Sequence, residues 1–107
     1  MKKVAFLMLL FAGCGDVGVN GDLVGGSCRD NRDCEEDCLS GKDYPGGMCS
    51  VACRDSRDCP NDTVCSNKDG GVCMLLCRYD DDCRRDYDCK SKGLKGEPGE
   101  ASICVGR

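Results

Sequence analysis

The chain has 107 residues, of which 13 are Cys, none is His and none is Trp. Cysteine at that density marks a disulfide scaffold. The lack of His removes the commonest general base and every Ser-His-Asp or Cys-His arrangement. Without Lys2 and Lys3 the basic count falls from 15 to 13 against 19 acidic residues, a net charge of about −6. That balance argues against nucleic acid as a partner and against attraction to an anionic membrane surface.

The chain opens MKKVAFLMLLFAGC: a basic start, an apolar run over Val4–Phe11, and small residues before a cysteine. The run is too short to cross a bilayer as a helix and predicts an export signal over 1–13. Phe11-Ala12-Gly13-Cys14 resembles the lipobox of bacterial lipoproteins, usually Leu-Ala-Gly-Cys, with Phe11 as a departure. The resemblance implies cleavage before Cys14, diacylglycerol on its sulfur and an acyl chain on its amino group, making the membrane a partner. In enterobacterial lipoproteins an Asp after the lipidated cysteine retains the protein in the inner membrane. Gly15 stands there here, so the resemblance implies the cell envelope with the outer membrane preferred. The alternative is a conventional signal removed together with Cys14. Setting Cys14 aside leaves an even set of cysteines for six disulfides. Gly15–Ser27 is Gly-rich and aperiodic, so 14–27 is expected to be a lipidated Cys followed by a flexible tether reaching roughly 20 Å.

From Cys28 onward the cysteines fall into three sets of four: Cys28, Cys34, Cys38, Cys49; Cys53, Cys59, Cys65, Cys73; and Cys77, Cys83, Cys89, Cys104. The first two of each set frame similar peptides, CRDNRDC, CRDSRDC and CRYDDDC. Such repetition marks an array of one small unit. The units are 28–49, 50–73 and 74–107, the last with an enlarged loop over 90–103. The apolar residues after the leader, among them Leu39, Tyr44, Val64, Val72, Tyr87 and Ile103, are scattered singly or in pairs. Chain entropy opposes folding by about 1–2 kcal/mol per residue, and no pattern here builds a large core against it. The expected fold class is therefore small and disulfide-rich: three tandem two-disulfide units with short β-hairpins, little regular secondary structure and no large hydrophobic core. No Cys-x-x-C occurs, which disfavours thioredoxin-like redox chemistry and zinc.

CRDSRDCPNDTVCSNKDGGVC resembles the second half of a whey-acidic-protein (WAP, four-disulfide core) domain. Related spacing occurs in Dickkopf-type cysteine-rich domains. In WAP domains the first cysteine of this run pairs with the third and the second with the last. The resemblance thus implies Cys53–Cys65 and Cys59–Cys73 and, by repetition, Cys28–Cys38, Cys34–Cys49, Cys77–Cys89 and Cys83–Cys104. The chain lacks two of the WAP cysteines.

Val64-Cys65 and Val72-Cys73, joined through an Asp-Gly turn, predict a hairpin. Asp33, Asp58 and Asp82 precede the second cysteine of each unit, where a carboxylate can accept backbone N–H groups in a turn. Arg29, Arg32, Arg54 and Arg57 are expected to be solvated. Asp80, Asp82, Asp86 and Asp88 are weak calcium candidates, since the D-x-D-x-D-G loop is absent. Met74-Leu75-Leu76 is either packing between units or a partner contact, with packing favoured. Gly93–Ala101 spells collagen-like triplets, too few for a triple helix, and the enlarged loop holding it offers a binding surface.

These residues predict a non-enzymatic interaction or structural module, without a cofactor, that meets an unidentified protein or cell-surface ligand. The alternatives are a WAP-like serine protease inhibitor and a calcium-binding module.

Overall fold

The computed structural model describes residues 16–107; the leader and Cys14 lie outside the described residues. Six short strands flank Gly-containing turns: β1 Asp37–Leu39, β2 Met48–Ser50, β3 Thr63–Ser66, β4 Val72–Leu75, β5 Tyr87–Gly93 and β6 Glu100–Gly106, with β-branched residues in β3, β4 and β6. They pair as three antiparallel hairpins, β1–β2, β3–β4 and β5–β6. The β3–β4 turn bends through Asp69 and Gly70 at φ 48° and 82°. At Gly71 a Cβ would stand 2.4 Å from the Cys53 carbonyl oxygen, so only glycine fits.

Within each hairpin the third and fourth cysteines of the unit face each other: Cys38 opposite Cys49, Cys65 opposite Cys73, Cys89 opposite Cys104. They are not bonded to one another. Each reaches to the peptide framed by the first two cysteines, giving Cys28–Cys38, Cys34–Cys49, Cys53–Cys65, Cys59–Cys73, Cys77–Cys89 and Cys83–Cys104. The order is first to third and second to fourth throughout. Loops of this size contribute on the order of 3 kcal/mol per crosslink in the chain-entropy account.

In each unit the residues ahead of the first cysteine pair with that unit's own hairpin. Val51 accepts the Cys73 N–H at 3.0 Å and Cys53 donates to Gly71 at 3.0 Å, so residues 51–53 lie beside β4. Leu76 bridges Ile103, and Cys77 donates to Ser102 at 3.1 Å, placing both beside β6. Ahead of unit one, Gly25 donates to the Cys49 carbonyl at 2.9 Å and Gly26 accepts the Cys49 N–H at 2.8 Å. The expected flexible tether is therefore corrected over its described part. Residues 16–26 form a loop tied across itself by a Val17–Val24 bridge, with Val24 fully buried. Glycine permits this close approach: a Cβ on Gly25, at φ 112°, would meet the Gly18 carbonyl oxygen at 2.2 Å.

The enlarged loop is also corrected. Most of 90–103 is strand, and the turn beyond it folds onto unit two. Asn67 donates to Gly93 at 3.2 Å, Lys95 donates its N–H to Cys65 at 3.0 Å, and Ser56 donates to Glu97 at 3.3 Å. The Lys95 ammonium also donates to the Gly70 carbonyl.

Strand alternation divides the buried apolar residues into two clusters. Tyr44, Met48, Val72, Met74, Tyr87, Ile103 and Val105 form one. Val24, Leu75 and Cys53, Cys65, Cys73 and Cys104 form the other, covered by the 16–26 loop. Both are small, and both draw on more than one unit.

Candidate functional site: the cysteine-framed turns

The three turns are built by side chains bonding their own backbone. Asp33 accepts the Arg29 N–H at 2.8 Å, Asp58 that of Arg54 at 2.9 Å and Asp82 that of Arg78 at 2.8 Å. Asp30 and Asp55 cap short 3-10 turns over Asn31–Asp33 and Ser56–Asp58, accepting the N–H of Arg32 and Arg57 at 2.9 and 2.8 Å. A further contact ties each turn to its hairpin. Asn31 Oδ1, Ser56 Oγ and Asp80 Oδ1 accept the N–H of the third cysteine, at 2.8, 3.0 and 2.8 Å.

Charge follows from this geometry. Backbone N–H donors hold Asp33, Asp58 and Asp82 below the ordinary carboxylate range. Hydrogen bonds from the Arg32 and Arg57 guanidiniums do the same for Asp30 and Asp55. The four arginines of the first two turns pair with these acids, yet their side chains are 89–92% exposed. Pairs so exposed add little stability. They leave a surface of alternating, neutralised charge.

Unit three departs from that pattern. Tyr79 takes the capping place of Asp30 and Asp55 and is 71% exposed, and Asp81 takes the place of Arg32 and Arg57. Asp82 compensates by accepting the Tyr79 N–H at 3.1 Å as well as that of Arg78. The recesses beside the first and third turns, lined by Arg29–Arg32 and by Arg78–Asp81, are open to solvent rather than enclosing. Among the described residues that line them, no nucleophile is paired with a base.

The calcium candidates do not gather. Asp80 and Asp82 are engaged by backbone N–H groups, Asp88 pairs with the Arg107 guanidinium at 2.9 Å, and the Asp86 carbonyl accepts the Arg107 N–H. Among the described residues, three or more potential ligands converge only as cysteine triplets, and those sulfurs are consumed in disulfides. Of Met74, Leu75 and Leu76, the first two are buried and only Leu76, 45% exposed, can touch a partner. Packing accounts for the other two.

Some residues that organise the surface had no local signal. Arg84 of unit three donates to the carbonyls of Gly25, Pro45 and Gly47 and to the Tyr87 hydroxyl, its guanidinium 4.6 Å from the Tyr87 ring. Tyr44 donates to Asp69, joining units one and two. Burial, with Asp69 second, raises the Tyr44 hydroxyl above its ordinary pKa. Nothing in Cys83-Arg84-Arg85-Asp86 distinguishes the Arg that is engaged from its neighbour.

No protein-family model, curated protein or solved structure matches this chain. The WAP, Dickkopf and lipoprotein likenesses thus stand on the residues quoted above. The structure itself is that of a cysteine-rich module whose crosslinks belong to an oxidising, extracytoplasmic environment.

Proposed function

We propose that this protein is a lipid-anchored module of the bacterial cell envelope, outer membrane in preference to inner, that acts by interaction or support rather than by catalysis. One observation supports the reading most. Every cysteine after Cys14 is joined to another, so the cysteine left over is the one that closes the lipobox-like run. The surface offered to a protein or cell-surface ligand is polar, built from rigid turns and open recesses. Inhibition in the WAP manner requires an extended loop ahead of the framed peptide. Here Val51 and Ala52, and likewise Leu76, pair with strands instead.

Intact-mass measurement of the exported protein tests the reading. The expected form begins at Cys14, carries acyl mass, and gains twelve hydrogens when its six disulfides are reduced. A mature chain without acyl mass would end it. Tight stoichiometric inhibition of a serine protease would replace the interaction role with the inhibitory one.

A further inference from the structure

We infer that the loop over 16–26 is the face of the protein seated on the lipid headgroup layer. This rests on the acylation of Cys14 proposed above and adds which surface meets the bilayer and how closely. Asp16 is already fixed in the fold. Its N–H donates to Asp22 Oδ1 at 2.9 Å, and its carbonyl accepts the N–H groups of Leu23 and Val24 at 2.9 and 3.2 Å. Only Gly15 separates it from Cys14. Two trans peptide links span at most about 7 Å between Cα atoms. A body joined that closely to an acylated cysteine has no room to stand off from the membrane.

The strand layer says which side is turned away. The loop covers the cluster of Cys73, Leu75 and Cys104, whereas Val72, Met74, Ile103 and Val105 point to the opposite side. Lys92 faces Ala101 across β5 and β6, and Ala101 packs on that opposite cluster, so Lys92 marks the far side. At the loop's tip Val19 is 37% exposed and Asn20 is exposed. Charge does not draw this face to lipid, since it carries Asp16 and Asp22. The short covalent link holds it there, and its length is the controlling variable.

The chain contains no Trp, so a single introduced indole reports alone. The acylated, disulfide-intact protein is placed in phosphatidylethanolamine–phosphatidylglycerol vesicles containing lipids brominated near the headgroup. Val19→Trp, with Asn20→Trp as a second position, is compared with Lys92→Trp. The loop positions are expected to shift to the blue and to be quenched ~2-fold more strongly than position 92, as suits an indole at headgroup level. Inserting about ten Gly/Ser residues before Asp16 gives the link a reach of roughly 18 Å and should bring quenching at 19 down to that at 92. Equal quenching at 19, 20 and 92 in protein that carries acyl mass and floats with the vesicles overturns the proposed face. Quenching unchanged by the insertion overturns the short link as its cause. Protein that lacks acyl mass and stays off the vesicles ends the anchoring reading and this one with it, and the mass tells the cases apart.

Discussion

Unit two closes its cysteine frame with four-residue strands and a turn at Lys68–Gly70. Unit three closes the same frame with seven-residue strands whose turn lies back over unit two. Their disulfides join the same ordinal cysteines although the second spans 14 residues in one unit and 21 in the other. The frame therefore sets local shape and tolerates insertion. The inserted length supplies contacts between units. Arg84 works in the same direction, carrying unit three to unit one and to the 16–26 loop. Unit two receives these contacts on a short hairpin, whereas unit three supplies them from its longer strands, its turn and Arg84.

The largest expected effect comes from the buried residue where that difference is concentrated. Ile103 is fully buried among residues of all three units, so Ile103→Ala should cost about 2–5 kcal/mol in urea unfolding with disulfides intact. Val64→Ala, at a half-buried site in unit two, should cost less. The loss at Ile103 should appear in one transition for the whole chain. If units one and two keep their original midpoint while unit three melts alone, the units are independent and the comparison fails.

Arg84→Ala comes next. It removes a charged donor from carbonyls that lose their partner, for which about 2 kcal/mol is expected. Arg57→Ala, in unit two's exposed pair, should leave the unfolding midpoint where it was. Equal effects at both sites would remove the distinction between an inter-unit latch and a solvated ion pair.

The smallest effect is local and depends on pH. Asp58 and Asp82 bind protons less readily in the folded chain than in the unfolded one, because backbone N–H groups donate to them. Their contribution is complete above the ordinary carboxylate pKa of about 3.9 and is lost as pH falls through the depressed folded values. In an NMR titration the Arg54 N–H should follow Asp58. The N–H groups of Arg78 and Tyr79 should move together with Asp82, since both donate to that one carboxylate. Midpoints at or above the ordinary value would contradict the hydrogen-bond geometry.

What the sequence alone determined lies within short reach along the chain. The short hairpins, β3–β4 among them, and Asp33, Asp58 and Asp82 as turn acceptors were legible because each involves residues close in sequence and repeats with the cysteines. The cysteine count established an even set after Cys14 but left the pairing open, and the order came from the WAP likeness. Tertiary structure decided the rest. Gly25 and Gly26 looked like linker because a Gly-rich run resembles no strand in composition and their partner, Cys49 of β2, is distant in sequence. The scattered Tyr44, Val72, Tyr87 and Ile103 became one cluster only when three hairpins were stacked. Arg84 could not be told from Arg85, because its carbonyl partners lie 37–59 residues away. Hydrogen bonds within a turn need only local backbone geometry, whereas these contacts exist only after the crosslinked units have been packed against one another.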